Sequence, residues 1–95
     1  MSRPDLSVAV PARDAPGLTL LCLRSLVFTL LSFPGSVEVL LIDDAGNDPQ
    51  IQDLFSDFRQ KTKWPTRIFR LRERGHYTGV FNLALAKSEG ERLFF

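Results

Sequence analysis

The chain has 95 residues, 44% of them hydrophobic and 24% charged, with a formal net charge of +1. That length and balance describe one small domain with a single core, and they exclude a disordered tail and any bulk attraction for nucleic acid. The single cysteine, Cys22, excludes an internal disulfide and a cysteine-based zinc cluster, and a lone thiol fits a reducing, cytoplasmic setting.

Leu6–Val10 is a short, β-branched run that reads as a strand ended by Pro11, which has no ladder donor. No signal peptide is visible, because Arg3 is followed by Pro4 and Asp5 rather than by an apolar run. From Leu18 to Ser32 the polar residues Thr19, Cys22, Ser25, Thr29 and Ser32 recur every three or four positions. That spacing predicts a helix with one narrow polar stripe. The apolar segment Leu18–Phe33 is too short to cross a bilayer and carries Arg24 in its middle, so it reads as a buried helix with Cys22 packed inside. Phe33-Pro34-Gly35-Ser36 stops it.

Val37–Ile42 reads as a central strand, since its last four residues are all apolar. The polar loop Asp43–Asp48 follows. Asp48 then acts as an N-cap before Pro49, and Ile51, Leu54, Phe55 and Phe58 give the next helix one apolar face up to Trp64-Pro65. Arg67–Arg72 alternates less cleanly and reads as a strand nearer an edge. Gly75–Gly79 is a loop or helix entry, Val80–Ser88 a third helix, and Arg92–Phe95 a fourth strand. The order β-α-β-α-β-α-β predicts an α/β class domain, a Rossmann-like three-layer sandwich on a mostly parallel sheet, spanning residues 1–95 as one unit.

In such sheets ligands bind outside the carboxyl ends of the strands. Pro11-Ala12-Arg13-Asp14 follows the first strand and Asp43-Asp44-Ala45-Gly46 the second, so neighbouring strands would bring both sets to one crevice. Paired carboxylates at that place can hold a divalent cation, accept hydrogen bonds from a ligand, or simply cap the following helix. The phosphate cradles of P-loop enzymes and dinucleotide dehydrogenases are missing. His76, the sole histidine, assembles no nucleophilic triad. The basic stretch from Arg59 to Arg74 reads as a charged edge strand, with the sharper option that Arg72 or Arg74 reaches a phosphate. Its lack of interleaved aromatics argues against nucleic acid as a partner.

The run Leu6–Asp14, the apolar helix, and Val37–Asp48 together resemble the opening of a family 2 glycosyltransferase, an inverting enzyme of the GT-A fold. Gly79–Phe95 is similar to that family's asparagine-bearing helix, Gly-Glu turn and next strand. The resemblance implies that Pro11, Ala12 and Arg13 lie against the nucleotide of a sugar donor, a UDP-sugar or another nucleoside-diphosphate sugar. It further implies that Asp44 accepts from the base, Asp43 supports the loop, and Asn82 lies close to the donor. Asp14, Arg13 and Phe81 depart from the residues that the family usually carries there. The family's Mg²⁺- or Mn²⁺-holding motif and its catalytic base come after the fourth strand, and this chain stops at Phe95. The expectation is therefore an N-terminal, nucleotide-sugar-binding portion that is inactive alone, cytoplasmic or peripheral to a membrane. Two other functions remain open: a receiver-like signalling domain using Asp43 and Asp44, and a non-catalytic interaction module. A truncated sheet would also leave the fourth strand as an edge that recruits a second copy.

Overall fold

Four strands and three helices alternate along the chain in a computed structural model that describes residues 3–94. They are β1 (Leu6–Ala12), α1 (Pro16–Leu30), β2 (Val37–Asp43), α2 (Pro49–Lys61), β3 (Thr66–Arg70), α3 (His76–Lys87) and β4 (Arg92–Phe94). The strands form one sheet in the order β3-β2-β1-β4, parallel throughout. This is the expected α/β class with a Rossmann-like arrangement. Strand order runs outward from β1 to β3 and then returns across β1 to β4. Keeping one crossover hand through that reversal puts α1 and α2 on one face and α3 on the other.

The two faces are filled by alternate residues of the same strands, as the period of two requires. Val8, Val10, Val39 and Leu41 pack against Leu23 and Leu30 of α1 and Ile51, Phe55 and Phe58 of α2. Ala9, Leu40 and Ile42 pack against Val80 and Ala84 of α3. All seven residues of β2 are buried, which explains its near-continuous apolar run. The outer position of β3 matches its weaker alternation. The predicted Asp48 cap forms: its carboxylate accepts the Gln50 N–H at 2.9 Å, and Pro49 occupies the first helical position, where its missing N–H costs nothing.

Three expectations need correcting. First, Pro11 does not end β1, which continues to Ala12 in register with Asp43. The Ala12 carbonyl accepts the Asp44 N–H at 2.9 Å on the β2 side, so Pro11 faces the other way. On that side the described pairing with β4 reaches only Val8, and no ladder partner is left waiting for a proline donor.

Second, α1 begins at Pro16, two residues before Leu18, for the same reason that Pro49 starts α2. Third, α1 is not buried all round, and Cys22 is exposed rather than packed. Only Thr19, Leu23 and Leu30 are buried, with Leu26 and Val27 half-buried, so one face meets the sheet and α2. Leu18, Leu21, Phe28 and Leu31 stand at 60% exposure or more. The polar stripe is not a single solvent face either. Thr19 turns inward, while the Thr29 and Ser32 hydroxyls donate to the Ser25 and Thr29 carbonyls. The proposed fourth strand is present at Arg92–Phe94, and Phe95 lies outside the described residues.

At the amino end of the sheet, the α3–β4 turn is pulled down onto β1. Gly90 donates to the Ser7 hydroxyl at 2.8 Å. A Cβ on Gly90 would sit 2.7 Å from the Ser7 nitrogen and 2.9 Å from the Leu6 carbonyl carbon, so this close approach of two backbones requires glycine.

Candidate functional site

The parallel pairing of β1 with β2 delivers both predicted polar sets to the same edge of the sheet. Ala12 stands opposite Asp43, and the backbone bond from Asp44 to Ala12 locks the two loops together. A second lock is Asp14, a residue in the left-handed region at φ 49°. Its carboxylate oxygen accepts the Asn47 N–H at 2.6 Å and the Asp48 N–H at 2.8 Å. Gly46 passes under the same oxygen, where a Cβ would come within 2.8 Å of it, so the crossing needs a residue without a side chain. Among the described residues, Ala45 and His76 are the other non-glycine residues with positive φ, the first in the loop after β2 and the second at the start of α3.

Strand alternation separates the two adjacent carboxylates. Asp43 points toward α2, where its oxygens accept the Gly46 N–H at 3.0 Å and the Gln52 side-chain amide at 2.9 Å. Arg70 lies 3.8 Å from Asp43 and also donates to the Gly46 carbonyl at 3.1 Å. Asp43 therefore holds the loop in shape. Asp44 points the other way, toward α3, and its Oδ1 accepts the Gly75 N–H at 2.6 Å. Among the described residues its Oδ2 makes no hydrogen bond and is open to solvent, although the residue as a whole is only 7% exposed. A carboxylate oxygen with a vacant lone pair can accept a ligand N–H or O–H.

Asp44 forms one wall of a cleft of about 280 Å³. Pro11, Ala12 and Arg13 form a second wall, and Arg74, His76, Tyr77 and Val80 from the entry of α3 form the third. The cleft lies outside the carboxyl ends of β1 and β2, the edge where ligands bind in an open parallel sheet. Of the residues singled out in the sequence, Pro11, Ala12, Arg13 and Asp44 share this cleft. Asp43 stands behind it. Asn82 lies exposed on α3 outside it, because Val80 and Ala84 take the inward positions. Of the two candidate arginines, Arg74 lines the cleft.

Neither protein-family models nor curated proteins give a match to this chain. What the cleft can do therefore rests on its own residues. Arg13, Arg74 and His76 supply donors or positive charge, Asp44 supplies an acceptor, and Tyr77 supplies an aromatic face. Tyr77 stacks on Phe81 with ring centroids 5.9 Å apart and planes within 7° of parallel, so the ring is held as a platform. The sequence spacing offered Arg74 but gave no reason to place Tyr77 or His76 here. Only the start of α3 at His76 rather than Val80 brings them in.

A divalent cation does not fit these residues. Among the described residues no three His, Cys, Asp or Glu side chains come together. The carboxylates of Asp14 and Asp43 are already engaged by backbone and amide donors.

A second cluster lies at the opposite end of the sheet and was missed in the sequence. Glu38 is 5% exposed on β2. Its Oε2 accepts the Ser7 hydroxyl at 2.6 Å and the Glu89 N–H at 2.6 Å, and its Oε1 accepts Arg67 at 2.9 Å. Burial pushes this carboxyl up, but the Ser7 hydroxyl, the Glu89 amide and the Arg67 guanidinium together outweigh it and hold the group below its ordinary value of 4.5. The arginine also caps the Lys87 carbonyl at 2.6 Å, at the negative end of the α3 dipole. The signal was present: Glu38 is the one charged residue inside the apolar run of β2 before Asp43.

Proposed function

We propose that the cleft binds the nucleotide part of a nucleoside-diphosphate sugar, and that the chain is the donor-binding portion of an inverting glycosyltransferase resembling family 2. The observation that carries this reading is the meeting of Asp44 with Pro11-Ala12-Arg13 in one cleft at the carboxyl ends of β1 and β2. The Asp44 carboxylate suits a base with a ring N–H, such as uracil. Tyr77 offers the aromatic face that Arg13 does not, and Arg74 offers charge to a phosphate. Mg²⁺ or Mn²⁺ and the acceptor-activating base belong, in this reading, to residues other than these. The reading sets the protein in the cytoplasm, where the exposed Cys22 stays reduced. No helix among the described residues is long and apolar enough to cross a membrane.

A UDP titration followed by amide NMR is expected to move Ala12 to Asp14, Asp44 and Tyr77, and to saturate. Asp44→Asn retains an oxygen for the Gly75 N–H but replaces the vacant acceptor by an amide. It is expected to weaken UDP binding roughly tenfold to a hundredfold, the value of a hydrogen bond to a charged group. Shifts scattered away from the cleft, or none at millimolar UDP, would remove the donor-site reading.

The β4 edge supports a proposal of self-association. Arg92–Phe94 is an outer strand, and Phe94 is 65% exposed. Sedimentation at rising concentration is expected to show a dimer that Phe94→Lys weakens. A strict monomer at high concentration would refute it.

A further inference from the structure

On the face away from α3, α1 and α2 lie side by side and leave a valley of about 500 Å³ between them, far from the cleft. We propose that this valley is a binding site for a single-chain anionic amphiphile of the fatty-acid class.

The floor is apolar. Leu20, Leu23 and Val27 of α1, with Leu31 just past its end, face Leu54 and Phe58 of α2, and Trp64 closes the end near the carboxyl termini of both helices. The spacing of three and four on each helix makes this one continuous stripe. Leu31 is 61% and Leu20 36% exposed, so apolar surface stands open to water here. The volume falls in the range of small-molecule pockets. Two turns of a partner helix would need roughly 800 Å³ and would rest on the rims, whereas an extended alkyl chain is thin enough to lie along the floor.

The rim decides the charge of the ligand. Arg24, Lys61 and Lys63 border the valley, against the single carboxylate of Asp57. Asp57 is already paired with Lys61 at 2.9 Å. Arg24 has no ion-pair partner among the described residues. Lys63 lies with its ammonium 5.6 Å from the centre of the Trp64 ring, which places a cation over the closed end. An aliphatic body with one anionic head therefore meets an apolar floor and surplus positive charge together. A neutral or cationic amphiphile meets only the first.

Trp64 is the sole tryptophan, so its emission reads occupancy of the valley directly. The intact chain is titrated with dodecanoate below its micellar concentration. The expected result is a saturable, one-to-one blue shift. Dodecyltrimethylammonium, with the same chain and the opposite head, is expected to bind at least tenfold more weakly. Arg24→Glu combined with Lys63→Glu is expected to weaken dodecanoate by about tenfold or more. Leu31→Glu replaces an exposed side chain and places a carboxylate at the mouth. It is expected to do the same, with an unchanged far-ultraviolet circular dichroism spectrum as the check on folding. Three outcomes would overturn the proposal: no saturable shift with dodecanoate, equal affinity for the cationic analogue, or a shift with anionic phospholipid vesicles but none with monomeric dodecanoate. The last would assign the face to a lipid surface instead.

Discussion

Phe55→Ala is expected to lower the thermal midpoint by more than 12 °C and to leave much of the protein unfolded at 37 °C. Phe55 is fully buried and heads the largest side chains of the core between α2 and the sheet. Truncating a buried phenylalanine removes its transfer free energy and leaves a cavity that the surroundings only partly fill, at a cost of about 3–5 kcal/mol. Domains of this class are stable by about 5–15 kcal/mol, and a small one buries too little surface to sit at the top of that range. Each kcal/mol moves the midpoint of a domain of this size by roughly 4–8 °C. Phe55→Leu keeps most of the volume and is expected to cost roughly 1.5 kcal/mol at most. A thermal melt followed by circular dichroism separates the two. Equal, small shifts for both variants would mean that α2 does not seal this core.

Glu38→Ala is expected to be nearly as damaging, by a different mechanism. The substitution strips the acceptor from three donors at once: Ser7, Glu89 and Arg67. Leaving buried polar groups unpaired and taking from the guanidinium its nearer counter-charge costs roughly 3 kcal/mol, below the figure for a fully buried pair because Arg67 is 41% exposed and keeps Glu89 at 3.9 Å. The acid dependence gives an independent reading. The folded-state pKa of Glu38 lies below its ordinary 4.5, so the unfolded chain takes up the proton first as the pH drops. The stabilisation is complete above pH 4.5 and is lost as the pH falls through the lower, folded value. Glu38→Gln is expected to be destabilised at pH 7 and to show a shallower loss below pH 4.5 than the parent protein. Identical acid limbs in urea melts of the two proteins would show that Glu38 does not carry this linkage.

The sheet was readable in the chain because burial on both faces leaves its mark: Val37–Ile42 has room for only one charged residue, Glu38. The α2 boundary was readable because its cap is local, made by Asp48 and Pro49. Features set by distant partners were not readable. The exposure of Cys22 and Phe28 depends on nothing being packed over α1, and α1 carries more apolar residues than its single covered face can use. The site was half legible. Two apolar strands predicted that Pro11–Arg13 and Asp43–Asp44 share an edge. Which carboxylate faces the cleft follows from the pleat, once Asp43 is seen to turn toward Gln52 and Asp44 toward Gly75. Tyr77 and His76 enter because α3 starts at His76 and returns across the sheet toward β4, and that return is a matter of strand order that no local pattern encodes.

That return also sets a timetable for assembly. Ser7 meets Glu38 at a separation of 31 residues, but Gly90 at 83. Loop-closure entropy rises with separation, so β1, β2 and β3 can condense while β4 is still unattached. On a ribosome, the outer side of β1 waits until Gly90 and β4 have emerged. Throughout that wait, Ser7 and Glu38 hold the ground onto which the last turn will settle.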